Sequence, residues 1–595
     1  MKKNEENKKS RLWFYIITAL IPILFFVILE LLLRLFNYGT DYTTFVKISD
    51  QFEDYLFFNP QLPQKYFSDD VPVPSVIPDG FKKVKPENGI RIFVLGESSA
   101  AGFPYPVNAS FSRFAQRKLE LLFPDNQVEV INLGVSAINT YTIRDIIDDV
   151  FEQKPDLILI YTGHNEYYGA MGIGSTQSMG SSPFLVNFIL QLKEYKTVQL
   201  LSDMINGIAG WFSSKNKMTD TGKTLMGSMI KESNIGYGTD EYTKGLDQFE
   251  SNMRDILLTC SENKVPVLLS TLASNLMQSP LSKGNGNKAA MEYFEQATNY
   301  LNSGKIDEAK KMFIQARDYD VLRFRAPSET NEIIKKLSRE FGYTIAAIDS
   351  VFDEVSENHI AGYNLMVDHL HPNIEGYKMI GDLLVQKIIE EKLLPVEDYP
   401  DSNKIKFADV LLRQAFPFTR MDSSYSKYTI DILLNTFPFK NESNPLMILQ
   451  IEVQTNYADS LAIKVVQREI SWENAHFQLA EYFFGKADYN AYFNEMNALI
   501  EDKPFEQYNY RLAVGKLIQA KQYELAQRFL FRNLKRYPDG FTYKSIGIIF
   551  SETNNLSGAI EFLENAKRLF PSDAEIYFRL SRAYFFIGNK DKAFE

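Results

Sequence analysis

Two stretches of the chain hold side chains that together could form a covalent bond and carry its proton. The first is Arg91-Ile-Phe-Val-Leu-Gly96-Glu97-Ser98-Ser99-Ala-Ala-Gly102, an apolar run that stops abruptly in Gly-Glu-Ser-Ser. The second lies far downstream, Asp368-His369-Leu370-His371-Pro372-Asn373. A serine hydroxyl becomes a strong nucleophile when a base takes its proton. A histidine serves as that base when a carboxylate fixes its tautomer and stabilises its charge. Asp368 and His371, three apart in one loop, can supply both, which makes Ser98 the candidate nucleophile. Without them, Ser98 reads equally well as a cap for the helix that follows it.

Acyl transfer also needs donors for the negative charge that develops on the substrate oxygen. Three fit: the Ser98 N–H, the bare backbone of Gly134 after Val130-Ile-Asn-Leu133, and the side-chain NH2 of Asn165 after Thr162-Gly-His164. His164 and Glu166 flank Asn165 and are candidates for lining a substrate pocket, with a structural role equally open for His164. His369 sits between the two residues that matter, so His371 is preferred as the base. His359 and His476 read as surface or packing residues. Asp368, His369 and His371 would make part of a metal site. No other His or Cys cluster completes it, so no metal and no cofactor is expected. Arg323-Phe-Arg325 either meets an anionic substrate or pairs with acidic neighbours, the commoner fate.

These residues need elements to hold them. Ile90 to Leu95, Val128 to Leu133, Pro155 to Tyr161, Val265 to Leu272 and Thr344 to Ile348 read as strands. Helical patterns over Ser110 to Leu122, Tyr141 to Phe151 and Ile374 to Ile389 separate or follow them. Strands alternating with helices imply a parallel sheet covered on both faces, with chemistry at the C-terminal ends of its strands. Ser98, Gly134 and Asn165 all follow such ends.

The pattern resembles the SGNH, or GDSL-type, hydrolases, whose name records Ser, Gly, Asn and His in four sequence blocks. Ser98 corresponds to the first block, Gly134 to the second, Asn165 to the third, and Asp368 with His371 to the D-x-x-H of the last. The likeness spans 90–395. It implies a flavodoxin-like three-layer α/β/α sandwich and ester hydrolysis or acyl transfer through an acyl-enzyme. The first block departs from the family in reading Gly-Glu-Ser-Ser, and the third in reading Gly-His-Asn-Glu. An ordinary α/β-hydrolase fits less well, because Ser98-Ser99-Ala100 lacks the second glycine of G-x-S-x-G.

The rest of the 595 residues must be other domains. The net charge of -11 argues against general nucleic-acid binding, and the single cysteine, Cys260, excludes an intramolecular disulfide. Residues 1–11 are a basic tail expected in the cytoplasm. Leu12 to Leu29 carries no charge, and the apolar stretch continues to Phe36. At ~1.5 Å per residue the uncharged part spans about 27 Å, enough for a bilayer core. Residues 12–36 are therefore expected to be an uncleaved anchor that sends the rest outside the cytoplasm. A cleaved signal peptide is the rival, but no A-x-A-like site follows. Glu30 and Arg34, one turn apart, could pair. Residues 37–89, rich in proline, read as a membrane-proximal connector packed on the domain.

Residues 167–264 do not alternate and read as an insertion, a lid or substrate-selecting element. Gly169 to Ser182 is its mobile loop and 185–212 its apolar helical part. Tyr293, Ala297, Tyr300, Ala309, Phe313 and Ala316 carry the tetratricopeptide spacing, so 290–320 reads as a helix pair lodged inside the domain. Residues 396–470 are a helical joining region. Over 471–595, Pro504, Pro538 and Pro571 recur at near-constant spacing among Tyr510, Leu517, Ala526, Tyr543, Gly547, Ala559 and Ala566. This resembles tetratricopeptide repeats, which usually bind a peptide or protein. The last is incomplete, so the chain is expected to continue or to be a piece.

The expected function is a membrane-anchored, extracytoplasmic serine esterase acting on an acylated envelope glycan or lipid ester. An O-acyltransferase of the same mechanism is open, since sequence does not choose between water and a sugar hydroxyl as acceptor. A scaffold whose repeats bind a partner, with the hydrolase domain secondary, is the alternative of a different class.

Overall fold

The apolar run that ends at Gly96 becomes the second strand of a five-stranded parallel sheet. The structure is a computed structural model. It describes residues 2–49, 52–68, 71–76, 79–180, 182–212, 225–231, 234–281, 287–414, 416–440 and 456–595. Ahead of the sheet, β1 (Phe45–Val46), β2 (Tyr55–Phe58) and β3 (Gly80–Lys82) form a small antiparallel sheet within the proline-rich connector. The main sheet has β4 (Gly89–Gly96), β5 (Gln127–Asn132), β6 (Leu157–Tyr161), β7 (Val267–Ser270) and β8 (Thr344–Ala346) in the order β5-β4-β6-β7-β8, every neighbour parallel.

Ile92, Phe93, Val94 and Leu95 are all buried, as a strand covered on both faces requires. Helices Phe111–Leu122 and Ile374–Glu390 pack together on one face, and Thr140–Glu152, Asp240–Glu262 and Ser328–Phe341 on the other. The chain runs from β4 out to β5 and then returns to the other side of β4 as β6. The reversal opens a crevice between the C-terminal ends of β4 and β6, the place where doubly wound sheets bind ligands. Gly96 makes the approach there possible, since a Cβ on it would lie 2.2 Å from the Tyr161 carbonyl oxygen.

Two expectations about the insertion need correcting. Asp240–Glu262, counted within 167–264, is the regular crossover helix into β7, its Phe249, Met253, Ile256 and Leu257 buried. Gly169 to Ser182 is not an open loop throughout. Ala170 and Met171 are buried, and a Cβ on Gly169 would strike the Asn165 and Ile138 carbonyls at 2.7 and 2.8 Å. The apolar stretch 185–212, expected to be helical, is two helices, Pro183–Leu192 and Lys196–Phe212.

The first helix, Lys2–Leu35, includes the expected anchor. Among the described residues no helix is long and apolar enough to cross a membrane. Several side chains of the stretch 12–36 fall outside that description. Glu30 pairs with Arg34 at 2.7 Å and accepts the N–H groups of Lys196 and Thr197, capping helix Lys196–Phe212.

The embedded pair is helices Lys288–Asn302 and Ile306–Tyr319, packed on each other with Ala297, Ala309, Phe313 and Ala316 buried. The joining region contributes Ser402–Gln414, Arg420–Leu434 and Tyr457–Val466, while 441–455 lies outside the described residues. From Trp472 to Phe594 consecutive helices each pack on the next, with Ala480, Ala513, Ala526, Ala559, Ala566 and Ala583 buried between them.

Candidate active site

β4 delivers Ser98 directly into the short helix Ser98–Ala101, which ends at Gly102 with a left-handed φ of 101°. Asp368 and His371 arrive on the loop before helix Ile374–Glu390, whose N-terminus Asn373 caps through its side chain to the Gly376 N–H. The two loops meet. Ser98 Oγ lies 2.8 Å from His371 Nε2, and His371 Nδ1 lies 2.7 Å from Asp368 Oδ2. Asp368 Oδ1 accepts from the N–H groups of Leu370 and His371, so the loop folds around its own carboxylate.

Burial opposes the charge on Asp368, but the neighbouring His371 and His369 hold its pKa well below the ordinary value. An ionised Asp368 keeps the proton on His371 Nδ1. That leaves Nε2 free to accept the Ser98 hydroxyl proton. Asp368 has no exposure, while Ser98 and His371 keep 9% and 7% and line the crevice.

The third block is built differently from its neighbours. Gly163, at φ 132°, turns the chain after β6 so that Asn165 lines the crevice while His164 and Glu166 point inward. The Asn165 side chain makes no hydrogen bond to the described residues, which leaves its NH2 available. Its backbone is held by Glu97. That carboxylate accepts from Thr162 Oγ1 and from the N–H groups of Gly163, His164 and Asn165 at 2.9 to 3.1 Å. Burial pushes the Glu97 pKa up to about 8, and the four donors work against that by favouring the charged form. Glu97 is thus the clamp of the asparagine turn.

His164 and Glu166 do not reach the crevice as expected. His164 Nδ1 accepts the Ala326 N–H, and burial pushes its pKa down to about 3, so it stays neutral. Glu166 accepts from the Thr140 hydroxyl and N–H and from Gln248, with burial pushing its pKa up to about 7.

Gly134 also falls outside its expected place. Its N–H donates to Asn132 Oδ1 at 2.9 Å, and its Cα packs so closely on the Ser98 helix that a Cβ would lie 2.4 Å from the Ala101 nitrogen. Ser136 and Ala137 line the crevice instead. Ala137 holds a left-handed φ of 58°, unusual for a residue with a Cβ. Its N–H has no acceptor among the described residues. Such strain persists where the surroundings fix it and often marks a working position. The donors facing the crevice are therefore Ser98 N–H, Ala137 N–H and Asn165.

Asp368, His369 and His371 bring their ligand atoms within 4.8 Å of one another. A metal there would have to displace His371 from both Asp368 and Ser98. His369 is buried beside Phe324 and Phe439, and burial lowers its pKa. Arg323 and Arg325 meet no open pocket. Arg323 Nε donates to the Ile235 carbonyl, and Arg325 donates to the Asn275 and Gln278 carbonyls and pairs with Asp320. His359 is exposed. His476, read as a surface or packing residue, is fully buried and ion-paired between Asp422 and Glu495.

A cavity of about 310 Å³ opens at Ser98. Its walls include Leu225, Met226 and Met229 from the insertion and Thr429, Ile432 and Leu433 from the joining region. The sequence holds no signal for that second wall, because nothing in helix Arg420–Leu434 marks which face will meet the serine.

No family model matches the chain, and no curated protein matches it. Among solved structures the chain is similar to the acetyl xylan esterase AlAXEase, at 15% identity and a TM-score of 0.28, over 50% of this chain and 100% of that one. It is similar to Axe2, an acetylxylan esterase from Geobacillus stearothermophilus, at 12% identity and a TM-score of 0.27, over 51% and 96%. A GDSL-like lipase from Bacteroides thetaiotaomicron is similar at 14% identity and a TM-score of 0.25, over 51% and 89%. These likenesses fall on about half of the chain, and the case for chemistry rests on the Ser98, His371 and Asp368 geometry alone.

Proposed function

We propose that the chain is a membrane-anchored serine acylhydrolase that works outside the cytoplasm through an acyl-enzyme. The observation that carries this reading is the unbroken line from Ser98 Oγ to His371 Nε2 and from His371 Nδ1 to Asp368, at 2.8 and 2.7 Å, in the sheet's crevice. Ser98 Oγ attacks the ester carbonyl carbon and its proton passes to His371 Nε2. The oxyanion takes hydrogen bonds from Ser98 N–H, Ala137 N–H and the Asn165 amide. The carbon–oxygen bond to the alcohol then breaks, and His371 protonates the departing oxygen. A water, deprotonated by His371, attacks the acyl-enzyme, releases the acid and restores Ser98. An alcohol in place of that water would make the same site a transferase.

The placement outside the membrane rests on the uncharged stretch after the basic tail. It draws support from Phe184, Leu185, Phe188, Met204, Ile205 and Ile208, exposed apolar residues on the two insertion helices, the second capped by Glu30. The helix array after Trp472 is read as tetratricopeptide repeats with a groove for a protein or peptide.

A fluorophosphonate probe tests the chemistry. The wild-type chain is expected to become labelled and the Ser98→Ala variant to stay unlabelled, with ester turnover falling by roughly a thousandfold or more. Equal labelling of the two would remove Ser98 from the mechanism.

A further inference from the structure

The cavity at Ser98 is lopsided in its chemistry. Ser98, Ser136, Asn165 and His371 gather at the catalytic end, while the hydroxyls of Tyr168 and Thr429, also in the lining, donate to the Val321 and Tyr425 carbonyls and His369 adds a buried ring. Away from that end the cavity is walled by Leu225, Met226, Met229, Phe324, Ile432 and Leu433, and among the described residues no aspartate, glutamate, lysine or arginine lines it. An acetyl group would leave this space unfilled. A glycan would find no hydrogen-bonding side chain on Leu225, Met226, Met229, Ile432 or Leu433 for its hydroxyls, at the cost of stripping their water. A cavity of about 310 Å³ falls at the lower end of small-molecule sites, which run from roughly 300 to 1,000 Å³.

The wall is built and fixed. Met229 is buried, and the Met229 carbonyl accepts the Thr176 N–H. On the other side, helix Arg420–Leu434 is led in by a segment fastened to the catalytic domain. Phe416 stacks on Phe114 at 4.6 Å, Phe418 meets Tyr105, and the Pro417 carbonyl accepts from Asn108. The helix is thereby held against the mouth of the serine site, where it leaves Ile432 and Leu433 at the cavity.

We propose that the acyl group carried by Ser98 is an unbranched hydrocarbon chain well beyond acetyl, seated between Met226 and Met229 on one wall and Ile432 and Leu433 on the other. The proposal rests on Ser98 being the nucleophile. Methionine suits such a wall, since its flexible thioether adapts to a chain of variable pose. The joining helix is then a specificity element, which its place outside the catalytic domain conceals.

The test is a ladder of alkyl fluorophosphonates from ethyl to dodecyl, applied to the full chain below their micellar concentrations. Ser98 Oγ displaces fluoride from phosphorus, its proton goes to His371, and the alkyl group occupies the acyl position. The second-order labelling rate is expected to rise about fourfold per added methylene until the cavity is full, then to level off. Ile432→Trp and Met229→Trp, on opposite walls, are expected to move that plateau to shorter chains and to cut the octyl rate by about tenfold or more. Two variants guard against one that fails to fold, which a circular dichroism spectrum reveals. Rates that stay flat or fall with chain length, on a protein that does label at Ser98, overturn the proposal and leave the serine mechanism standing. Absence of labelling by every member of the ladder overturns both.

Discussion

Glu97 takes no part in the proton path, yet four hydrogen bonds from the turn that carries Asn165 end on its carboxylate. A side chain without an acceptor there would strand three buried N–H groups and let the turn drift. A donor displaced from a developing oxyanion costs roughly 10²- to 10³-fold in kcat. Glu97→Ala, which removes the acceptor itself, is expected to lower kcat by about that factor with KM little changed. Steady-state kinetics on any accepted ester check it. A variant with wild-type kcat would mean that Asn165 needs no such clamp. His369 contrasts with Glu97. Its ring lies against Phe324 and Phe439 and it lines the cavity as bulk, its one polar approach being Nδ1 at 3.4 Å from Asp368.

At the scale of the element, helix Arg420–Leu434 connects two sites by its two faces. Ile432 and Leu433 look into the serine cavity. Asp422, one face over, is fully buried and accepts from Trp472 Nε1 and from His476, which also meets Glu495 at 2.6 Å. Burial works against the charge on His476, but the carboxylates of Asp422 and Glu495 prevail and raise its pKa from 6.5 to about 9. A raised folded value stabilises the protonated, folded state. The contribution is complete below pH 6.5 and is lost as pH rises towards about 9. Denaturant unfolding of the helical half is therefore expected to weaken across that interval. His476→Ala should weaken it at pH 6 by about 3–5 kcal/mol, since two buried carboxylates lose their shared partner. A pH-independent midpoint in the wild type would remove the ion pair from the stability of this helix.

Across the whole molecule, the C-terminal helices are fastened to the catalytic domain. Glu501 of helix Tyr489–Asp502 meets Arg117 of the sheet's covering helix at 3.3 Å and is shared with Arg532 and Arg536, while Arg536 reaches back to Glu120 at 2.7 Å. The small sheet of the connector completes the clasp, with the Phe57 ring 4.9 Å from that of Phe505. Burial opposes the Glu501 charge, and the three arginines overcome it, holding its pKa far below the ordinary 4.5. A depressed folded value stabilises above pH 4.5 and fades as pH falls beneath it. Acid is thus expected to loosen the C-terminal helices from the catalytic domain before the sheet itself unfolds. Glu501→Gln should bring the loosening to neutral pH, at a cost of about 3–5 kcal/mol for the stranded arginines. Limited proteolysis in the joining region at pH 7 and, with an acid protease, at about pH 2 reads it. Equal resistance of wild type and variant at both values would show that the contact carries no stability.

The chemistry was legible in the chain because it is local. Asp368 and His371 sit three apart, and the turn between them needs only its own N–H groups to close around the carboxylate. Ser98 follows a run of residues too apolar to be anything but a buried strand. The strand and helix alternation, the embedded pair and the recurring prolines are likewise periodicities that one sequence displays. What tertiary structure decided was direction and distance. Gly134 and Ala137 both follow β5, and only the packing of Gly134 against the Ser98 helix shows that Ala137 faces the crevice. His164 and Glu166 flank Asn165 in sequence, and the φ of Gly163 is what turns them inward. The acyl wall at Ile432 and Leu433 depends on contacts between segments three hundred residues apart, such as Asn108 with Pro417. A sequence fixes which side chains are available. Which of them share a cavity is set by how faces meet after every turn has been made.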